Sequence, residues 1–128
     1  MRRIFRLPEE DESYLDSLGL PWETIQDGGQ RWLLIQDHPV PAGYNVEKTT
    51  VAIRIEGGYP PGMLDMVYFF PTIGRGDGKP IHSPAAQAID GRTFQRWSRH
   101  YSWRDGIDTL GTHHQRIKSW LEAELMRG

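Results

Sequence analysis

Five histidines are the side chains of this sequence that are best suited to proton transfer or metal binding near neutral pH. His113 and His114 are adjacent, so on a helix their side chains would diverge by about 100° and could not bind one metal ion together. Neither a His-x-x-x-His nor a His-Glu-x-x-His spacing occurs. We therefore predict no metal site and no cofactor, and we interpret His114 as a core or hydrogen-bonded histidine.

Strong nucleophiles are scarce in the sequence. Its 128 residues contain no cysteine, so they offer no disulfide, no thiolate ligand and no thiol that could carry a thioester. Ser83, His100 and Asp105 have the residue types of a catalytic triad, but no serine lies in the Gly-x-Ser-x-Gly turn that exposes such a nucleophile. His82 and His100 remain as candidates for a general base.

Residues 74–79, Gly-Arg-Gly-Asp-Gly-Lys, have the glycine content of a phosphate-binding loop. They lack the glycine spacing of a P-loop or a dinucleotide-binding loop, and no amphipathic helix follows them. We therefore predict an ordinary turn at this place.

Residues 92–104 are the most distinctive stretch, with four arginines, one histidine and four aromatic residues in thirteen positions. Arginine and aromatic side chains dominate binding hot spots, and a guanidinium can stack on a ring or pair with a carboxylate. The aromatic residues are Phe94, Trp97, Tyr101 and Trp103. Two interpretations stay open: a partner-binding surface, or a structural core whose arginines form a solvated rim.

The overall charge excludes some classes of partner. Fifteen basic and 17 acidic residues give a net charge of −2, whereas a dedicated nucleic-acid binder needs a basic face. No apolar run approaches the roughly 18 residues of a membrane span. The basic start leads into Leu7-Pro8 and four acids rather than into the apolar segment of a signal peptide. We expect a cytoplasmic protein with one domain over residues 1–128, without nucleic-acid or membrane partners.

The first half of the chain predicts a helix followed by short strands. Pro8 and four acids suit the first turn of a helix, and Gly19 can end it, so we predict a helix over residues 9–18. Asp27-Gly28-Gly29 supplies the positive φ of a tight hairpin. Alternating and aromatic stretches complete an antiparallel meander. Its four strands are predicted at residues 23–26, 31–36, 49–55 and 66–70.

The second half predicts a long connection and a second helix. Residues 71–90 are rich in glycine and proline and show little periodicity, which indicates an irregular crossing segment. Apolar residues then recur at helical spacing from Ile107 to Leu125. This stripe predicts a C-terminal helix that packs one face against the sheet.

The order of these elements and several short stretches resemble the ubiquitin-conjugating-enzyme fold. Residues 58–60, Gly-Tyr-Pro, follow the third strand, and residues 81–84 stand where that fold has a His-Pro-Asn stretch. Residues 90–94 resemble the approach to the catalytic cysteine, and Trp103 resembles the tryptophan that follows it. In this alignment Phe94 occupies the cysteine position.

More closely, the chain resembles the prokaryotic ubiquitin-conjugating-enzyme-like family E over residues 7–121. The characteristic stretches are residues 18–22, 31–34, 57–60, 90–100 and 103–108. The resemblance implies an α+β fold: an N-terminal helix, a four-stranded antiparallel meander, a long irregular crossing segment and a C-terminal helix. It also implies partners in a bacterial ubiquitin-like system, namely a ubiquitin-like protein, an activating-enzyme-like adenylating protein or a deubiquitinase-type metalloprotease.

Together these observations favour a non-catalytic binding or adaptor module, because the ring of Phe94 cannot accept an acyl group. The expected partner-binding residues are Tyr59, Pro60, Arg96, Trp97, Arg99, His100 and Trp103. The alternative is an enzyme that uses His82 or His100 as a general base in an unusual transfer or hydrolysis. A structural subunit or an oligomer contact is the third possibility.

Overall fold

The structure is a computed structural model that describes residues 1–60 and 62–127. It is an α+β fold in which two helices flank one antiparallel sheet. The helices are α1 (Glu9–Ser17) and α2 (Leu110–Met126). The strands are β1 (Trp22–Asp27), β2 (Gln30–Pro39), β3 (Lys48–Ile55), β4 (Val67–Phe70), β5 (Pro84–Ile89) and β6 (Arg92–Trp97).

The sheet has six strands in the order β1-β2-β3-β4-β6-β5. Strands β1 to β4 are neighbours in chain order and lie where the alternating and aromatic stretches predict them. The predicted count of four strands is wrong, however, because a further hairpin, β5–β6, extends the sheet beyond β4. The sheet is therefore two strands wider than a four-stranded meander.

The extra hairpin replaces the last part of the segment that we predicted to be irregular. Its tip is Asp90-Gly91, where both residues adopt positive φ, 53° and 74°, as a two-residue hairpin turn requires. Strand β5 is the edge strand and carries three alanines and a proline. These residues have low intrinsic strand preference, so pairing with β6 rather than local preference forms β5.

The core has two layers, one on each face of the sheet. The main layer lies between the sheet and the helices, where Leu15 of α1 and Ile117 of α2 are buried together with Leu33 and Val51. A smaller apolar cluster fills the opposite face. Its buried members are Ile25, Trp32, Leu34, Ala52, Tyr68, Ile89 and Phe94.

Curling of the sheet protects this second cluster. The edge strands β1 and β5 approach each other, and the Asp90 backbone N–H donates to Asp27 Oδ2 at 2.8 Å. The Arg2 guanidinium joins the same two edges, because it pairs with Glu23 at 2.6 Å and with Asp90 at 2.7 Å. The two ends of the sheet are thus held together by polar contacts.

The two helices lie close to their predicted places. Helix α1 ends one residue earlier than predicted. Helix α2 begins at Leu110 rather than at Ile107, because Thr109 is its N-cap and its side chain accepts from the Thr112 N–H. Ile107 is 59% exposed and is not part of the buried stripe. Within the described residues, neither helix combines the length and apolar character needed to cross a bilayer.

Candidate functional site

Phe94, which the sequence resemblance places at the position of the catalytic cysteine, lies in the middle of β6 and has no exposed surface. Its ring packs against Phe70, with ring centroids 5.5 Å apart, in the cluster on the face away from the helices. A shallow depression of about 350 Å³ runs beside it between β5 and β6. Position 94 therefore lies next to a groove, but its side chain points into the core.

Trp97 is also fully buried, but it belongs to the main core layer on the helix side of the sheet. Its ring packs edge-to-face on Phe69 with centroids 5.1 Å apart, and its indole N–H donates to Gln95 Oε1 at 3.1 Å. The core interpretation therefore holds for Phe94 and Trp97. The expectation that the Trp97 side chain itself contacts a partner is wrong, because the core encloses it.

Three of the predicted partner-binding residues meet at one cavity. Tyr59, Pro60 and Trp103 line a cavity of about 180 Å³ near the first turns of α1 and α2. The rings of Tyr59 and Trp103 meet edge-to-face with centroids 6.1 Å apart. We call this space the Tyr59–Trp103 cavity.

Hydrogen bonds hold Tyr59 in place at this cavity. Its hydroxyl donates to Asp11 Oδ2 and accepts from the Leu110 backbone N–H at 2.9 Å, which connects α1 to the start of α2. Burial, followed by the hydrogen bond to Asp11, raises the pKa of Tyr59 above its usual range. Burial likewise raises the pKa of Asp11. Tyr59 is therefore a fixed, neutral wall of the cavity.

The predicted arginines lie on different faces of the sheet. Arg96 is two residues from Phe94 on β6 and is opposite Tyr68 in register, so it lies on the face away from the helices. Arg99 lies beyond the end of β6 with its guanidinium over the ring of Trp97, 4.9 Å from the centroid. Arg96 and Arg99 therefore do not form one continuous surface.

Arg99 is engaged within the fold. Its guanidinium pairs with Glu124 of α2 at 3.1 Å and donates to the His82 carbonyl oxygen at 3.0 Å. The His82 backbone N–H in turn donates to Glu124 Oε2 at 3.2 Å. These contacts connect the crossing segment to α2, which makes Arg99 in part a structural residue.

His100 pairs with a carboxylate that its sequence neighbourhood does not reveal. Its Nδ1 lies 2.8 Å from Asp65 Oδ2, and the imidazole is 64% exposed. An Asp–His pair of this kind orients the ring and leaves Nε2 available as a base. His82, by contrast, has its ring Nε2 3.3 Å from Ser83 Oγ.

A buried histidine pair, which no local sequence pattern indicates, lies between β2 and α2. His38 Nε2 and His114 Nε2 lie 2.7 Å apart, and the Tyr14 hydroxyl is 2.6 Å from His114 Nδ1. The interpretation of His114 as a hydrogen-bonded core residue is confirmed. Because the Pro39 carbonyl oxygen only accepts, His38 Nδ1 donates to it and, in the neutral ring, Nε2 accepts from His114.

Metal ligands do not cluster in the part of the chain that the structure describes. No three histidine or acidic side chains of residues 1–60 and 62–127 converge in a way that would hold a metal ion. The groups that the predicted partner-binding residues offer are thus the aromatic rings of the Tyr59–Trp103 cavity, the Asp65–His100 pair and arginine–carboxylate pairs such as Arg99–Glu124.

Comparison with known proteins gives one match. No curated protein and no solved structure matches the chain. The family model described as "Prokaryotic E2 family E" matches residues 7–124, which is nearly the whole sequence. This range includes the Tyr59–Trp103 cavity and Phe94. The chain therefore belongs to prokaryotic E2 family E.

Proposed function

We propose that this chain is a non-catalytic conjugating-enzyme-like domain that binds a ubiquitin-like protein or its processing enzymes. Membership of the family relates it to ubiquitin conjugation in prokaryotes. The observation that carries the non-catalytic assignment is chemical. The 128 residues hold no thiol, and the residue aligned with the reactive cysteine is a ring with no exposed surface. Acyl transfer through a thioester needs an accessible sulfur nucleophile.

The proposed contact surface centres on the Tyr59–Trp103 cavity. Pro60 is exposed at its edge, and Trp103 is partly exposed beside it. Aromatic residues that are already held in place lose little entropy on binding, which suits them to be contact residues. His100 lies three residues before Trp103 and is exposed. The partner classes in this proposal are a ubiquitin-like protein, an adenylating enzyme and a deubiquitinase-type metalloprotease.

The test is retention of a ubiquitin-like protein from the same genome on the immobilised chain. We expect Trp103→Ala to weaken retention at least fivefold, because it removes one wall of the cavity. Ile107→Ala is the matched control, since Ile107 is exposed near the cavity but does not line it. Equal retention by both variants and the unaltered chain would exclude this surface.

A second experiment separates a binding module from an enzyme. The chain is incubated with the ubiquitin-like protein, the adenylating enzyme and ATP, and any adduct is then challenged with hydroxylamine. We expect retention without a hydroxylamine-sensitive adduct. An adduct on the chain would contradict the non-catalytic proposal.

The Asp65–His100 pair supports a second candidate function, an enzyme that uses His100 as a general base. In the described residues His100 Nε2 has no hydrogen-bond partner, so it could accept a proton from water or from a substrate hydroxyl. If the chain hydrolyses or transfers an activated ubiquitin-like tail, His100→Gln should abolish that activity. His82→Gln is the comparison, because the His82 ring has no such carboxylate partner among the described residues.

A further inference from the structure

We propose that the Tyr59–Trp103 cavity binds a basic side chain, arginine or lysine, that a protein partner presents. This inference rests on the proposed function, because it names the chemistry of the partner at that surface. Three observations carry it: the walls of the cavity, one carboxylate at its edge, and the hydrogen bonds that already engage the Leu110 and Thr112 N–H groups of α2.

The walls suit a long side chain with a charged end. Pro8 and Pro60 supply apolar surface, and Tyr59 and Trp103 supply aromatic surface. A volume of about 180 Å³ admits one extended side chain but not a helix. Aromatic faces attract ammonium and guanidinium groups, and tryptophan attracts them best. Arginine additionally has a planar group that can stack on a ring.

Glu10 provides the charge that a basic side chain would pair with. It lines the cavity and is exposed, and it makes no hydrogen bond or ion pair with any residue that the structure describes. Its charge contributes to the raised pKa of Asp11 and of Tyr59, so the cavity edge is electronegative.

Three other carboxylates close to the cavity, those of Asp11, Glu12 and Asp108, already have partners. Glu12 pairs with Arg6 at 2.5 Å, and Asp11 accepts from the Tyr59 hydroxyl. Asp108 accepts from the Arg104 backbone N–H at 2.8 Å and pairs with Arg116 at 3.0 Å. Of the two carboxylates that line the cavity, Glu10 and Asp108, Glu10 is thus the one without a partner among the described residues.

The start of α2 favours an anion less than a helix N-terminus with free N–H groups would. Helix N-termini attract anions through free backbone N–H groups, and α2 begins at the cavity. However, the Leu110 N–H donates to the Tyr59 hydroxyl at 2.9 Å, and the Thr112 N–H donates to Thr109 Oγ1. Asp108, immediately before the helix, is already paired with Arg104 and Arg116, so among the described residues that line the cavity the charge left without a partner is the Glu10 carboxylate. Charge complementarity therefore favours a cation.

The first test uses a small probe and needs no partner. Nα-acetyl-arginine amide is titrated into the full chain, and the Trp103 indole N–H is followed by NMR after assignment with Trp103→Phe. The citrulline analogue has the same shape without the charge. We expect the arginine probe to bind at least fivefold more tightly than the citrulline probe, with the lysine amide as a parallel arm.

Glu10→Gln and Glu9→Gln form the matched pair of variants. Both change one exposed carboxylate in the first turn of α1, but only Glu10 lines the cavity. We expect Glu10→Gln to weaken binding of the arginine probe at least fivefold and Glu9→Gln to weaken it less than twofold. Equal binding of the arginine and citrulline probes, or equal effects of the two variants, would overturn the inference.

The two proposals fail differently. If a ubiquitin-like protein is retained but Glu10→Gln changes neither its retention nor probe binding, the inference about a basic side chain is wrong and the proposed function stands. If the arginine probe binds in a Glu10-dependent manner but no protein of the three partner classes is retained, the proposed function is wrong and the chemistry of the cavity stands.

Discussion

Phe94 and Trp97 illustrate what individual residues contribute to this protein. Both are aromatic, both lie on β6, and both are fully buried, yet their side chains pack on opposite faces of the sheet. The aromatic content of residues 92–104 therefore reflects two core layers as well as a surface. Trp97 and Trp103 were both predicted to bind a partner. Trp103 lines an open cavity, whereas Trp97 is enclosed in the core.

Introducing a cysteine at position 94 tests how tightly this single side chain is enclosed. We expect Phe94→Cys to yield a thiol that is unreactive toward a water-soluble disulfide reagent, because the side chain at this position has no exposed surface. Replacing a buried ring with a small side chain should also lower the free energy of unfolding by about 2–4 kcal/mol.

Thr93→Cys is the control for that experiment, because Thr93 is exposed on the same strand. Its thiol should react within minutes under the same conditions. Rapid reaction of the Phe94→Cys thiol in the folded protein would show that position 94 opens to solvent, contrary to the packing described above.

At the scale of elements, α2 connects most of the described features. Its N-terminus lies at the Tyr59–Trp103 cavity, its middle carries His113 and His114, and Glu124 near its end pairs with Arg99. The buried Arg75 guanidinium donates to the Glu124 and Leu125 carbonyl oxygens at 2.6 and 3.2 Å. The helix is thus held at both ends by residues of other segments.

The N-cap of α2 can be tested directly. Thr109→Ala removes the side-chain oxygen that accepts from the Thr112 N–H, and loss of an N-cap costs about 1 kcal/mol. We expect urea denaturation to show a decrease of this size. Ser119→Ala, at an exposed position inside the same helix, should change stability by less than about 0.5 kcal/mol. Similar losses in both variants would argue against the cap.

At the scale of the whole molecule, three buried histidines join segments that are far apart in the chain. His38 and His114 connect β2 to α2. The Nδ1 atom of His113 accepts from the Tyr101 hydroxyl at 2.8 Å, and its Nε2–H donates to the Met66 carbonyl oxygen at 2.9 Å. Burial lowers the pKa of His113 to about 4 and, together with the neighbouring His38, lowers the pKa of His114 to about 3. Burial also lowers the pKa of His38.

These shifts predict that the free energy of unfolding decreases as the pH is lowered below about 6.5. In that range the unfolded chain takes up protons on these histidines while the folded protein keeps them neutral, so acid favours unfolding. Between pH 6 and 4.5, each of these histidines should lower the free energy of unfolding by roughly 1 kcal/mol for each pH unit. Urea denaturation at a series of pH values measures the slope.

Two variants test whether the buried histidines cause this dependence of the free energy of unfolding on pH. His113→Asn should reduce the slope by about one proton, whereas Ser119→Ala, a non-titrating change at an exposed position of the same helix, should leave it unchanged. A slope that is the same in both variants and in the unaltered chain would show that the buried histidines do not control acid stability.

Local patterns by themselves determined much of this protein. The Asp27-Gly28-Gly29 turn predicted the β1–β2 hairpin, the alternation around Val51 predicted β3, and the helical stripe predicted α2 within three residues of its start. The cysteine count of zero determined that no side chain of these 128 residues can form a thioester. Each of these follows from residue type and short-range spacing, which fix backbone preference and available atoms.

Only the tertiary structure decided which residues meet. Strand β5 forms because β6 offers it a pairing edge, although its alanines have little strand preference of their own. The contacts of Tyr59 with Asp11, of His100 with Asp65 and of His38 with His114 join residues 35 to 76 positions apart. Such contacts depend on how the sheet curls and where α2 packs, and no spacing within a short stretch of sequence encodes that geometry.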